Sequence, residues 1–297
     1  MKRIITMQDL SCLGKCSLSV VLPTVSAMGV ECTVLPTAVL STHVAFPSPA
    51  VRGLDGLCRE ILEHWKTLEF RVDGILTGYL ASPQQTELAR ELIRDFRQEG
   101  TFVAVDPAMA DHGALYAGTD AAMVPAMAEL CAQSDLAIPN LTEAALMTGL
   151  PFREQGDLEY YRALAKAMHG LGCRGVMLTG TGEDENSTGF YCSCGETEAL
   201  YTLPREKRSC HGTGDLFAAV VAAGVVRGMS LVEAGRLAAQ FISRVIRATP
   251  ETDDSRYGVH FEKELPFLYA ERTQSGEPPR ANAHGDFWNP HTNKRAR

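Results

Sequence analysis

No apolar run in this chain approaches the roughly 20 residues of a membrane-spanning helix, and the stretch after Lys2 and Arg3 is too short for a secretory signal. Basic charge is the scarcer sign: 28 Lys and Arg stand against 36 Asp and Glu, a net charge of −8. With no long Lys/Arg cluster before the last few residues, that balance argues against nucleic acid as the main partner. Nine cysteines, an odd number scattered along the chain, do not suit a secreted disulfide framework, so cytoplasm and reduced thiols are expected. Cys192-Ser193-Cys194 and the Cys12/Cys16 pair invite a metal reading, but no Cys/His set has zinc-ligand spacing. Two phosphate-binding signatures are missing as well. No Gly-x-x-x-x-Gly-Lys-Ser/Thr run occurs, and no Gly-x-Gly-x-x-Gly with an acidic partner about 20 residues later follows the first strand, so ordinary P-loop and Rossmann readings fail.

What is present is core-forming material: 45% of the 297 residues are hydrophobic and 22% charged, which suits one large α/β domain. Short apolar runs alternate with helical patterns, the signature of a mostly parallel central sheet with helices on both faces. Strands are predicted at 3–7, 30–35, 72–77, 101–105, 136–138 and 176–179, with a hairpin from 190–194 and 200–203. Helices are predicted at 17–28, 58–67, 121–132 and 157–171. Ser82-Pro83-Gln84-Gln85 starts another that runs through Gln98, and Ser230-Leu231-Val232-Glu233 is a capping box for a last long helix to about Arg247. The folded domain is expected to span 1–270. From about Glu271 the periodicity is lost, and the polar stretch 271–297, with His284 and His291, reads as a tail that is either mobile or docked on a partner.

The most informative run is Ser209-Cys210-His211-Gly212-Thr213-Gly214-Asp215-Leu216-Phe217-Ala218-Ala219-Val220. One reading is a plain loop and helix start. The other is an anion site with its own base: Gly212 and Gly214 let backbone N–H groups converge on an oxyanion. The helix adds its positive end, which is expected to keep Asp215 ionised beside a bound phosphoryl group. The helix that follows is almost wholly apolar and reads as buried, so its charged first turn needs a partner, and a ligand supplies one.

Other polar residues gather at strand ends, where open α/β sheets bind ligands. They are Asp9, the Ser41-Thr42-His43 cluster, Gly78-Tyr79, Asp106 with Asp111, Asn140 with Glu143, and Thr179-Gly180-Thr181-Gly182. Asp106 before Pro107 reads as a strand cap or as a ligand. Together with Asp111, Asn140 and Glu143 it suits Mg²⁺ shared with nucleotide phosphate, although Asn140 and Glu143 equally read as a capping-box variant. Gly180-Thr181-Gly182 is a turn or the floor of a nucleotide site. Cys210-His211 as a nucleophile pair is disfavoured, because sequence neighbours seldom face each other along an extended loop.

On these residues the chain resembles the ribokinase-like fold enzymes, and among them the bacterial pyridoxal/pyridoxine/pyridoxamine kinases of vitamin B6 salvage. The resemblance runs from about Lys2 to Arg247. Its carriers are Gln8-Asp9-Leu10-Ser11-Cys12-Leu13-Gly14, Leu40-Ser41-Thr42-His43, Thr77-Gly78-Tyr79-Leu80, Asp106-Pro107-Ala108-Met109-Ala110-Asp111, Pro139-Asn140-Leu141-Thr142-Glu143-Ala144 and His211-Gly212-Thr213-Gly214-Asp215-Leu216-Phe217. It implies an ATP-dependent kinase acting on the 5′-hydroxymethyl group of a pyridine alcohol. Asp215 would be the base and Gly212, Thr213 and Gly214 the anion hole. Asp9, His43 and Tyr79 would hold the ring. Asn140, Glu143, Thr179, Gly180 and Gly182 would bind ATP. Asp106, Asp111 and Glu143 would hold Mg²⁺, with a monovalent cation (K⁺ or Na⁺) nearby, in a homodimer.

Two departures stand out. Asp9 follows Gln8 where many members have serine, which offers a carboxylate to a protonated ring nitrogen or the ring hydroxyl. The family's Ser-Asn-His-Thr reads Ser41-Thr42-His43-Val44 here, so a threonine contact with the ring is lost. The related hydroxymethylpyrimidine kinases usually carry cysteine at the position of Asp215. Hydroxymethylpyrimidine, sugar or nucleoside kinases of the same fold are the alternatives, as is a silent binder of pyridoxal phosphate or nucleotide. The intact Gly212 to Asp215 set speaks against the last.

Overall fold

The computed structural model describes residues 1–208 and 210–274; Ser209 and the expected tail beyond Gln274, including His284 and His291, lie outside the described residues. The chain begins with β1 (Arg3–Leu13), α1 (Leu18–Ala27), β2 (Glu31–Thr42), β3 (Val51–Gly53), α2 (Asp55–Lys66), β4 (Gly74–Thr77), α3 (Pro83–Phe96) and β5 (Phe102–Val105). A small hairpin, β6 (Ala110–Asp111) and β7 (Ala114–Leu115), precedes α4 (Met123–Cys131), β8 (Leu136–Ala137), α5 (Leu141–Thr148) and α6 (Leu158–Gly170). The rest is β9 (Gly175–Thr181), β10 (Ser187–Cys194), β11 (Thr197–Pro204), α7 (Thr213–Val226), α8 (Leu231–Ala248) and α9 (Leu265–Gln274).

The main sheet has nine strands in the order β11-β10-β9-β8-β5-β4-β1-β2-β3. Its centre is parallel, and antiparallel strands β3, β10 and β11 close its margins. The expected α/β architecture follows from the alternation of its strands. Ile5, Met7, Val103, Val105 and Leu178 face one apolar layer with α3, α4, α5 and α6, while Ile4, Leu76, Ala104 and Met177 face the other with α1, α7 and α8. After β1 the chain turns to one side to make β2 and later returns to the other side as β4. The loops beyond β1 and β4 therefore diverge and leave a crevice at the carboxyl ends of the strands.

Helix α7 is buried along its length, from Leu216 through Val226. Gly224 lets α8 approach: a Cβ there would lie 3.0 Å from the Cβ of Ala234. Each fully buried side chain such as Leu216 or Val220 contributes ~1.5–3 kcal/mol, so the element that presents Gly212 to Asp215 is among the most firmly held.

The sequence reading ended the first strand at Met7 and the second at Leu35. Both run on, β1 to Leu13 and β2 to Thr42, as a ribbon whose register shifts between Gln8 and Leu10. Pro36 sits at that irregularity, where a missing N–H does least harm. The extension was hard to read because its residues line a cavity on one side instead of core. Asp9 accordingly lies within β1 and not after it. The β6–β7 hairpin was missed too; its turn takes His112 at φ 49 and Gly113 at φ 79, and Gly113 leaves room for Phe152.

Candidate active site

A cavity of about 700 Å³ opens at the crevice. It is lined by Asp9, His43, Tyr79, Asp106, Asp111, Asn140, Glu143, Thr179, Gly180 and the run Gly212 to Asp215. Gly182 is not among the lining residues. Its N–H donates to the Tyr161 hydroxyl at 3.0 Å, and a Cβ would come within 2.4 Å of the Ser187 carbonyl, so it serves the turn between β9 and β10.

Gly212 begins α7 at φ 81, and a Cβ there would lie 1.9 Å from the Lys15 carbonyl oxygen, so only glycine fits. No side chain caps the helix, and the first helical bond runs from the Leu216 N–H to the Gly212 carbonyl at 3.1 Å. The amides of the first turn thus point at the cavity with the helix dipole behind them. Gly214 is exposed to it, and a Cβ added there would meet only the Asp106 Oδ2 at 4.0 Å.

Asp215 is half-buried and opens onto this space. The helix dipole was expected to keep it ionised. Instead burial, reinforced by the charge of Asp9, pushes its carboxyl up to about 7, against the lowering effect of the Ser17 amide. Asp9, 3% exposed, is likewise raised by burial, and the Ser11 hydroxyl donates to it at 3.0 Å. Asp106 is raised by burial and by the charges of Glu143 and Asp215. Burial pushes Glu143 up to about 8. A concentration of carboxylates this strong asks for cationic or proton-donating partners.

Asn140 and Glu143 form the capping box of α5. The Asn140 side chain accepts from the Glu143 N–H and the Glu143 carboxylate accepts from the Asn140 N–H, both at 2.9 Å. They also reach outward: Asn140 Nδ2 donates to the Ala110 carbonyl at 2.7 Å, and Glu143 accepts from the Met109 N–H at 3.1 Å. Capping and site lining coexist, and the pair moors the loop that carries Asp106 and Asp111. Asp111 itself lies 54% exposed beside His112 and lines the same cavity as the buried Asp106 and Glu143, its charge adding to the rise at Glu143. Among the described residues no three His, Cys, Asp or Glu side chains converge to hold a metal ion by themselves.

His43 has a fixed tautomer. Its Nδ1 accepts from the Ala45 N–H at 3.3 Å, so Nε2 carries the proton and donates to the Arg256 carbonyl at 2.5 Å. Its ring lies 4.6 Å from that of His211, whose pKa is lowered by burial and by His43. The Cys210 thiol is raised by burial, which suits a packed residue and not a nucleophile. Tyr79 is half-buried, its hydroxyl raised by burial and by Asp9.

Sequence reasoning missed the segment 203–208 and the facing side of α8. Leu203, Pro204, Ile242 and Ile246 give the cavity apolar wall, and Arg205, Lys207 and Arg208 line it as well. Arg208 is anchored to the carbonyls of Pro250 and Asp253. The signal was present: three basic residues within four positions, just before the glycine run, in a chain short of basic charge.

The chain matches the phosphomethylpyrimidine kinase family over residues 22–260. A structure from Bacteroides thetaiotaomicron, described as a phosphomethylpyrimidine kinase and determined with pyridoxal, superposes with a TM-score of 0.85 at 35% identity, covering 90% of this chain and 95% of that one. A pyridoxine/pyridoxal/pyridoxamine kinase of Bordetella avium is 26% identical over 85% of this chain and 87% of its own. A hydroxymethylpyrimidine/phosphomethylpyrimidine kinase of Rhizobium meliloti is 27% identical over 80% and 89%. The match to a chloroplastic thiamine biosynthetic bifunctional enzyme of Arabidopsis thaliana spans only 42% of that protein.

Proposed function

From the premise that the chain belongs to the phosphomethylpyrimidine kinase family, we propose that it transfers the terminal phosphoryl group of ATP to the 5′-hydroxymethyl group of pyridoxal, pyridoxine or pyridoxamine. The observation that carries this reading is Asp215, a carboxylate in the first turn of an uncapped helix, opening onto a cavity walled by Asp9, His43 and Tyr79. With its carboxyl near 7, Asp215 is matched to proton transfer at neutral pH. As the hydroxymethyl oxygen forms its bond to the terminal phosphorus, Asp215 takes the hydroxyl proton, the bond to the bridging oxygen breaks, and ADP departs. The amides of Thr213, Gly214 and Asp215 stabilise the charge on the transferring group. Asp9, His43 and Tyr79 hold the ring.

The nucleotide base fits the apolar space between Pro204 and Ile242, with Arg205 and Lys207 toward its phosphates. Asp106 and Glu143 supply oxygen donors and an excess of negative charge, the donor set that Mg²⁺ shares with phosphate. When bound, Mg²⁺ would neutralise charge on the phosphates.

Hydroxymethylpyrimidine is the second reading, favoured by the family description and by the Rhizobium meliloti relative. An acid at position 215, where resemblance to the pyrimidine branch would lead one to expect cysteine, weighs toward the pyridine. The test is ADP formation with each of the three pyridines and with hydroxymethylpyrimidine, wild type beside Asp215→Asn. A loss of about 10²–10⁴-fold in the variant is expected. Undiminished turnover by the variant would remove Asp215 from the chemistry, and a preference for the pyrimidine would establish the second reading.

A further inference from the structure

The chain between α8 and Val259 forms a loop that lines no part of the cavity yet holds three residues of its wall. Thr249 ends α8, and the loop is closed at its base, where the His260 N–H donates to the Thr249 hydroxyl at 2.8 Å and the His260 ring meets the Asp253 carboxylate at 2.9 Å. Its close ends make it an Ω-loop. From 250 to 257 its side chains are exposed or half-buried, so its grip is made by main-chain carbonyls. Those of Pro250 and Asp253 accept from the Arg208 guanidinium, that of Ser255 from the His211 N–H at 3.5 Å, and that of Arg256 from His43 Nε2 at 2.5 Å. Arg208, His211 and His43 all line the cavity, whereas no residue from 250 to 258 does.

The same loop backs the anion run. Gly258, at φ 82, lies against Lys15, whose carbonyl oxygen would stand 3.0 Å from a Cβ at Gly258 and 1.9 Å from one at Gly212. On the ring side the Arg256 guanidinium lies 5.2 Å and the Tyr257 ring 5.1 Å from the centre of the Phe46 ring, which packs in turn on His43. Arg208 differs from the other two wall residues: it is a cation held by neutral carbonyls, with no Asp or Glu paired to it among the described residues. Two of its N–H donors hold the loop, which leaves others for an anion. A loop this exposed, tied by a few hydrogen bonds, opens cheaply when nothing fixes the groups that tie it.

We propose that Arg208 is a positioning residue and the loop 249–260 a tie, through which nucleotide and ring alcohol strengthen one another's binding. An anionic nucleotide in the cavity fixes the Arg208 guanidinium and with it the carbonyls of Pro250 and Asp253. The tied loop keeps the Arg256 carbonyl on His43 and Gly258 behind the anion run. The first ligand to bind bears the ordering of the loop, and the second meets a wall already set. The proposal rests on the phosphoryl-transfer reading and adds a coupling between its two substrates.

Calorimetry on the full chain measures pyridoxine binding with and without the β,γ-methylene analogue of ATP and Mg²⁺. The proteins are wild type, Arg208→Met and a loop variant, Arg256→Gly with Tyr257→Gly, neither of whose altered residues lines the cavity. In wild type each ligand should tighten the other by the same factor, about tenfold. In the loop variant each ligand alone should bind within about threefold of wild type while that factor falls below about threefold, and Arg208→Met should abolish it with pyridoxine alone little changed. The Tyr257 and Gly258 amides donate to the Asp254 and Ser255 carbonyls at 3.0 and 3.1 Å. Their hydrogen exchange should slow when the analogue alone binds wild type and not when it binds Arg208→Met, a response that plain support of the fold does not give. No coupling in wild type, coupling that survives in either variant, or exchange indifferent to nucleotide would overturn the proposal. If the loop variant melts well below wild type, Arg208→Met decides alone. A chain that turns over neither pyridoxine nor hydroxymethylpyrimidine defeats the phosphoryl-transfer reading and the tie with it. One that turns over only the pyrimidine is titrated with that alcohol, and absence of coupling there defeats the tie alone.

Discussion

Two glycines separated by one residue should respond to alanine in opposite ways. At Gly212 the added methyl would lie 1.9 Å from the Lys15 carbonyl oxygen and the backbone stands at φ 81. The left-handed conformation costs alanine about 1–2 kcal/mol, and the forced displacement of a packed loop about 1–3 more. A total of about 2–5 kcal/mol corresponds to a Tm lowered by roughly 5–15 °C in a chain of this size. Gly214 lies inside α7 with ordinary angles, and its methyl would meet nothing nearer than Asp106 Oδ2 at 4.0 Å. Alanine is the better helix former by up to about 1 kcal/mol, so Gly214→Ala should match or exceed wild type in Tm. Its methyl nevertheless projects into the space where a phosphoryl group must approach the first-turn amides, and kcat/KM should fall by about 10²-fold or more. Calorimetric melting and an ADP-coupled assay read the two quantities separately. A stable Gly214→Ala protein with full activity would refute the assignment of these amides to the anion.

Asp215 sets a pH signature. The folded carboxyl keeps its proton to about 7, whereas the unfolded one releases it near 3.9, so the native state binds more protons between these values and stability falls as pH rises through that window. Asp215→Asn should therefore raise the unfolding free energy at pH 8 by at most about 4 kcal/mol, leave it nearly unchanged at pH 4, and abolish the acid limb of kcat/KM near pH 7; equal Tm differences at both pH values would contradict this. Asn140→Ala removes a cap and strands the Ala110 carbonyl, so a loss of about 2–3 kcal/mol and a raised nucleotide KM are expected from melting and kinetics. Lys207 makes no ion pair among the described residues, and Lys207→Ala should raise nucleotide KM about tenfold at low salt and less at high salt, with kcat little changed. Because burial raises Glu143, Mg²⁺ uptake near neutral pH should release a fraction of a proton, seen as a buffer-dependent calorimetric enthalpy; no release would remove Glu143 from the metal's surroundings.

Much of the fold was legible where one periodicity prevailed. The capping boxes at Asn140 and Ser230 and the Ser82-Pro83 start mark the first turns of α5, α8 and α3 to the residue, because each is a local arrangement of a side chain and nearby amides. The apolar run after Asp215 gave α7 for the same reason. What escaped was decided by distant partners. The outer half of β1 carries Asp9 and Ser11 toward the cavity, and its strand character comes from pairing with β2, not from its composition. The β6–β7 hairpin rests on Gly113 beside Phe152 and on Thr142, whose hydroxyl accepts from the Gly113 N–H at 3.0 Å; both are remote in sequence. At the site, residue identities were readable while protonation was not. The helix dipole at Asp215 is visible in the sequence, but the burial and the neighbouring Asp9 that outweigh it arise only when β1 and α7 meet.

The charge distribution bears on how an acidic chain can hold an anionic nucleotide. Net charge acts over long range and is screened within about 8 Å at physiological salt, so what matters at the cavity is the local arrangement. Arg205, Lys207, Arg208 and the amides from Gly212 onward fall within a span of about ten residues, and all line one cavity. The acids Asp9, Asp106, Glu143 and Asp215 come from β1, the loop after β5, α5 and α7, which meet there through the sheet. Positive potential is therefore a property of one contiguous segment, whereas the negative cluster exists only in the folded state, where its members raise one another's pKa. That repulsion lowers the stability of the empty site, and donors or cations relieve it. A nucleotide bound with a divalent cation and an alcohol bearing a donor on its ring edge satisfy both halves at once, and neither half alone accounts for the other.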